Sequence, residues 1–404
     1  MPGTNPTGNP ETNANSDPSA TTTGTSCAVT ISQWGTNILF VAALDQAGNV
    51  SQSFKYEFYV PFNQNATTDP GDVNGDGIPD LLATNGSGNL LLYPGRTDPG
   101  VAPESASIAA DSPAAANGLT WDQLDVAHRG TWSGGTVDDL LALDQTDGNL
   151  YLYKNSDLPT GMFENLNNAN LISFPTCGLV SDPDNPTGNC TGYPSQLNGW
   201  SAFNQILVPG DAWGGATGST SITQDTGEPS VLAVDQSTGS LWLFQGSGGA
   251  LQNPIQLGAS GWNDVTLLAP GDVNGQLTIW ARINSGTDAG DVVSFPLLIS
   301  AGHAPTLAST PGTLESPTSG TILDGTGGSA IQLTQSAYPL VAAPAPLAGD
   351  SCTADAMACP GLYAVTSGGE LVFFGGQSTT NPADALTGSS ANLDEVGTTI
   401  KQLS

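Results

Sequence analysis

The chain has 404 residues, of which 37 are Asp or Glu and only 6 are Lys or Arg, for a formal net charge of -31. A surface of that sign is repelled by phosphate, which argues against nucleic acid and anionic membranes as partners. Asp outnumbers Glu 29 to 8, and with 51 Gly and 29 Pro this is the composition of a turn-rich, all-β protein, since Asp, Gly and Pro favour turns whereas Glu favours helices.

Residues 1–26 are Thr, Asn, Pro, Gly and Ser with almost nothing to bury, and are expected to be a disordered leader. They carry neither the positive start nor the apolar core of a signal peptide, and no apolar run in the chain reaches transmembrane length. Of the five cysteines, Cys177 and Cys190 form one close pair and Cys352 and Cys359 another. Neither pair has the spacing of zinc or thioredoxin-like chemistry. Two local disulfides and a spare Cys27 are expected, which implies an oxidising, extracellular setting. Without a signal peptide, either export is unconventional or the sequence is a piece of a longer secreted protein, and the second is the reading favoured.

Two β-rich runs, Ile38 to Leu44 and Ser51 to Val60, flank the turn Asp45-Gln46-Ala47-Gly48-Asn49. The pattern A-x-D-x-A-G-N-x-S followed by Y-x-F-x-V resembles the closing hairpin of a bacterial immunoglobulin-like or fibronectin-III-like domain. Residues 27–62 are too few for a whole sandwich of roughly 100 residues, so a partial domain is expected there, followed by a linker at 63–70.

From residue 71 to 404 the chain repeats. Hairpins start at Leu81 (LLATNGSGNLLLYPG), Leu140, Val231, Leu277 and Leu362, each joining a small-apolar strand to an aromatic-rich one across a Gly/Asn/Asp turn. Segments headed by Trp121, Trp200, Trp262 and Tyr338 precede four of them and are read as a further strand. The shortest repeat, Val231 to Leu277, has the length of one four-stranded propeller blade, and the longer ones leave insertions at 155–199 and 296–336. The expectation is an all-β β-propeller of about five four-stranded blades. Its first hairpin lacks a preceding strand. Asn392 to Ser404 either completes that blade or opens a sixth unit; closure is expected, because it removes an exposed edge.

The loop Asp72-Val73-Asn74-Gly75-Asp76-Gly77-Ile78-Pro79-Asp80 places side-chain oxygens at alternate positions, with glycines to turn the chain sharply. Ca²⁺ needs six to eight oxygens, and Asp72, Asn74, Asp76 and Asp80 would supply side chains and Ile78 a carbonyl. An EF-hand would need a Glu at position 12, where this chain has Ala83. The pattern D-x-N-x-D-G-x-x-D-[LIV], met from Asp72 to Leu81, instead resembles the FG-GAP/VCBS repeat of integrin-α-type propellers. That resemblance implies Ca²⁺ bound between the first two strands of a blade.

Elsewhere the ligands thin out. Unit two has Thr131, Ser133, Gly135 and Asp139 at the four positions. Unit three keeps Asp211 but has Trp213, unit four keeps Asp272 and Asn274 in a shortened loop, and unit five keeps Asp350, with a Cys352–Cys359 bridge expected to clamp the loop in place of an ion. The aromatic series Tyr93, Tyr153, Trp242, Phe244 and Phe373 to Phe374 is read as inter-blade core. His128 and His303 stand in unrelated contexts and are read as surface or satisfied core residues. No phosphate loop, nucleophile elbow or metalloprotease helix is present. The reading is a secreted, non-catalytic, monomeric scaffold with an extracellular protein or glycan ligand. Its rival is a polysaccharide hydrolase, or the binding module of one, with Asp225 and Glu228 as acid and base.

Overall fold

The computed structural model describes residues 35–43, 47–60, 70–95, 106–110, 118–155, 162–163, 169–177, 190, 192–194, 199–213, 227–273, 276–299, 303–308, 313–323, 331–343, 361–375, 387–395 and 400–404. Strands β1 (Gly35–Val41) and β2 (Phe54–Val60) form a two-stranded antiparallel sheet in the expected hairpin, with Gly35 opposite Val60 and Val41 opposite Phe54. The leader, Asp225, Asn274, Asp350 and the Cys352–Cys359 pair lie outside the described residues.

Five four-stranded antiparallel sheets among the described residues make a five-bladed β-propeller. Blade one holds β3 (Leu81–Asn85), β4 (Leu90–Tyr93) and β5 (Ser107–Ala110). Blade two runs β6 (Asp125–His128), β7 (Leu140–Asp144), β8 (Asn149–Tyr153) and β9 (Ala169–Ile172). Blade three runs β10 (Phe203–Gly210), β11 (Ser230–Asp235), β12 (Leu241–Ser247) and β13 (Ala250–Gly258). Blade four runs β14 (Val265–Val273), β15 (Gln276–Ile283), β16 (Val292–Pro296) and β17 (Thr321–Ile322). Blade five runs β18 (Leu340–Ala342), β19 (Leu362–Val365), β20 (Glu370–Gly375) and β21 (Thr387–Glu395). The last strand, β22 (Ile400–Leu403), returns to blade one and pairs with β3.

Ring closure is therefore as expected, but the segment assigned to it divides. Residues 387–395 form the outer strand of blade five, and only 400–403 close blade one. Ile400 lies opposite Asn85 and Leu403 opposite Ala83, and Leu82 and Ser404 exchange two 2.8 Å backbone hydrogen bonds.

The second strand of a blade is covered on both faces, which is why its sequence is a continuous apolar run. All of Leu140–Asp144 and Ser230–Asp235 are buried. Successive side chains point to opposite faces, so one strand feeds two cores. Leu140 and Ala142 pack toward blade one with Leu82, Leu90 and Trp121, whereas Leu141 and Leu143 pack toward blade three with Phe203, Val231 and Phe244. The predicted aromatics Tyr93, Tyr153, Trp242, Phe244, Phe373 and Phe374 are all buried.

The tryptophan-headed segments differ from the expected strands. Trp121, Trp200 and Trp262 sit in one-turn 3₁₀ helices, and the strand begins just after each. The Trp121 N–H donates to Gly88 O in blade one, and the Trp262 N–H to Gly239 O in blade three. Each turn thus docks on the hairpin of the preceding blade. The indoles reach outward: Trp200 Nε1 donates to Ile172 O at 3.0 Å and Trp262 Nε1 to Glu315 O at 3.2 Å. The insertion 155–199 is tied down by the expected Cys177–Cys190 disulfide, with Cα atoms 5.7 Å apart. Tyr193 beyond it stacks on Phe174 with centroids 5.2 Å apart and meets Trp242 edge-on.

Candidate metal loop and central channel

The Asp72–Asp80 loop runs directly into β3, and its shape follows from its own amides. Asp72 accepts the Gly75 N–H at 2.6 Å on Oδ1 and the Gly77 N–H at 2.8 Å on Oδ2. Asn74 Oδ1 accepts the Asp76 N–H, and Asp76 Oδ1 the Ile78 N–H, each at 2.9 Å. Gly75 and Gly77 both have φ of +80°, a left-handed conformation that a Cβ would strain. Asp80 closes the loop: Oδ2 accepts the Val73 and Asn74 N–H groups, and Oδ1 the Asn74 side-chain amide and the Gly95 N–H.

Asp72, Asn74 and Asp80 are buried, and Asp76 and Ile78 are half-buried. Burial pushes the Asp72 carboxyl up to about 7, helped by the charge of Asp76 and opposed by its bond from Gly77. Burial likewise holds Asp80 well above the usual carboxylate range, with Asp76 and Asp72 adding to the effect.

Blade two repeats the closing clasp without the acids. Asp139 Oδ2 accepts the Trp132 and Ser133 N–H groups, each at 2.8 Å, and Oδ1 accepts the Asn155 N–H at 2.9 Å. Thr131 and Ser133 fill the inner positions with hydroxyls, which bond to Asp139 and to each other. In blade three the clasp shrinks to Ser230 Oγ accepting the Ala212 N–H, while Asp211 Oδ1 accepts the Trp213 N–H. In blade four β14 and β15 run together, with Val273 opposite Gln276, leaving no room for the loop. The final Asp of the motif is thus a structural clasp, whereas an acid at position five, beside the one at position one, is found only in the loop of blade one among those aligned.

Donor chemistry fits a hard cation: the oxygens come from Asp72, Asn74, Asp76 and Asp80, and a carboxylate oxygen holding one N–H keeps a second lone pair. Among the described residues, however, no group of three or more His, Cys, Asp or Glu side chains converges on one point as a metal cluster. The reason is visible in the hydrogen bonds, since the carboxylates are turned onto the loop's own amides.

Beside the loop runs the axial channel, a cavity of about 260 Å³ walled by β6, β10, β14, β18 and β22. Polar side chains on these strands join each blade to the next. Gln402 Oε1 accepts the Val126 N–H at 3.1 Å, Asp125 Oδ2 the Ile206 N–H at 2.8 Å, and Gln205 Oε1 the Leu267 N–H at 2.9 Å. Arg282 continues the series, donating from Nη2 to Thr266 Oγ1 and from Nη1 to Tyr338 O at the start of blade five. Asp125, half-buried, also accepts from Gln402 Nε2 at 2.5 Å, and desolvation pushes its carboxyl up to about 7 despite these two bonds. His128, read from sequence as unremarkable, lies on the same wall with Nδ1 2.9 Å from Asp138 Oδ2. Nothing local in the sequence marks these residues except their place at the start or end of an inner strand.

Of the proposed acid–base pair, Glu228 accepts the Gly248 and Gly249 N–H groups, which makes it the cap of a turn.

No family model and no curated protein matches this chain. Among solved structures, similarity extends to BBS1N crystallised in complex with ARL6DN, at 10% identity over 79% of this chain and 85% of that one, with a TM-score of 0.33. A putative 6-phosphogluconolactonase from Bacteroides fragilis is similar at 12% identity over 91% of this chain and 80% of that one, with a TM-score of 0.29. Resemblances this distant carry no functional argument.

Proposed function

We propose that the chain is a secreted, non-catalytic recognition scaffold, a propeller stiffened by Ca²⁺ at the Asp72–Asp80 loop, which presents the insertions at 155–199 and 296–336 to an extracellular protein or glycan. The observation behind the cation is the contrast between blades. Blade two keeps the same clasp through Asp139, with neutral Thr131 and Gly135 standing where blade one has Asp72 and Asp76. The fold therefore does not require acids at positions 72 and 76, and burying the Asp72 carboxylate beside like charges is uphill, as its raised pKa records. A divalent cation would offset that cost, with Asp72, Asn74, Asp76 and Asp80 holding it and the Ile78 carbonyl added.

Asp76→Ala is the test variant, because Asp80 is needed by the clasp regardless of metal. Ca²⁺ should raise the melting temperature of the wild-type chain and leave that of Asp76→Ala unmoved; a wild-type melting temperature indifferent to chelator would remove calcium from the proposal. For recognition, a glycan array paired with a polysaccharide-release assay should give binding without turnover, and turnover abolished in Glu228→Gln would reverse the reading.

A further inference from the structure

We propose that the axial channel is a binding site for a small monocarboxylate of sugar-acid size, held by Arg129. The chain carries 37 acidic residues against 6 basic ones, yet two of its three arginines, Arg129 and Arg282, line this one cavity and are almost wholly buried. They are not equivalent. Each nitrogen of Arg282 donates a hydrogen bond, to Asn284 Oδ1, Tyr338 O and Thr266 Oγ1, and the side chain serves to join blades four and five.

Arg129 is 4% exposed, and its Nη1 has no hydrogen-bond acceptor. The neighbouring Asp138 attracts the guanidinium by its charge but does not bond Nη1, because its oxygens are turned to other donors: Oδ1 accepts the Gly130 N–H, and Oδ2 takes the Gly71 N–H and His128 Nδ1. Buried polar donors are ordinarily satisfied, and a guanidinium most of all. Here a charged donor without an acceptor stands at the wall of a cavity, beside a histidine whose ring is fixed by Asp138. An oxyanion in the channel would supply the missing acceptor, in a charge-assisted bond for which the planar guanidinium is suited.

The class of anion follows from the rest of the wall. At about 260 Å³ the cavity falls just below the roughly 300 Å³ at which ligand sites usually begin, so the occupant is small. Asp80 and Asp125 also line it, so a dianion would face like charges, whereas one carboxylate matches the single unsatisfied guanidinium. Apolar wall is available for the body of the molecule at Ile206, Leu207 and Leu267. This site borders the calcium loop, with Asp80 in the wall of both, but its anchor is Arg129, and it lies apart from the surface insertions.

The chain contains only Arg96, Arg129 and Arg282, so the side-chain Nε resonances of ¹⁵N-arginine-labelled protein number three and can be assigned by Lys substitution. Titration with glucuronate should move the resonance that disappears in Arg129→Lys, glucose should move none, and the binding heat measured by calorimetry should weaken at least tenfold in that variant. If Arg129→Lys does not fold, Arg96→Lys and Arg282→Lys identify the other two resonances and the wild-type titration still decides. No shift with glucuronate, an equal shift with glucose, or a shift confined to Arg96 or Arg282 would overturn the site. Inorganic phosphate binding as tightly as glucuronate would overturn the assignment to a monocarboxylate.

Discussion

Asp125 shows how one side chain can serve both a blade joint and a pH response. Its carboxyl bridges the Ile206 N–H of blade three and Gln402 of blade one, and its burial raises its pKa from the ordinary 3.8 to about 7. The folded protein therefore binds a proton that the unfolded chain releases near pH 4, so this group's stabilisation is complete below 3.8 and is lost as pH rises through 7. The effect is at most about 4 kcal/mol, and Asp72 contributes with the same sign. Asp125→Asn should flatten the fall in stability across this window; urea midpoints measured on either side of it that fall as steeply as in the wild type would contradict the assignment. Gly95 illustrates a purely steric requirement at the same scale. A Cβ there would lie 1.9 Å from Pro79 O, and at the equivalent Gly246 2.3 Å from Pro229 O, so neither site admits a side chain without moving the clasp.

At the scale of elements, the recurring device is a loop or insertion fixed to a strand end. The clasp of Asp80 reappears as Asp139 and, reduced, as Ser230, which shows that the motif has a structural half and a half that carries acid. The spacing made these positions legible in sequence as candidate cation ligands, because alternate residues of a tight turn must face one another, but not as a clasp. It did not reveal which carboxylates the loop amides would take up, since that depends on backbone direction within the loop. The insertion at 155–199 is handled differently. Its Cys177–Cys190 bridge closes 13 residues of chain, and Tyr193 beyond it packs into the core between blades two and three. In the loop-entropy description such a bridge is worth roughly 3 kcal/mol. The double variant Cys177→Ala, Cys190→Ala should lose about that much by denaturant unfolding; an unchanged midpoint would mean that the aromatic packing alone holds the insertion.

For the whole molecule, closure is the decisive contact. β22 covers the inner edge of β3 and buries Ile400 and Leu403 against the blade-five side of the ring. Deleting residues 400–404 should cost about 3–6 kcal/mol in burial of those two side chains, and should promote aggregation through the uncovered edge. Calorimetry together with light scattering would test this, and a deletion that melts like the full chain and stays monodisperse would refute it. The sequence by itself determined the hairpin strands, the five-fold repeat, the aromatic inter-blade core and the oxygen spacing of the Asp72 loop. All of these are patterns of period two or of adjacent turn residues, which local geometry enforces wherever the chain lies. Only the tertiary structure decided that residues 387–395 belong to blade five while 400–403 close blade one, and that Asp125, Gln205 and Gln402 join the blades. It alone placed Arg129 at the channel with a donor unmet. These facts rest on meetings such as Gln402 with Val126, far apart in sequence, and such contacts exist only once the ring is complete.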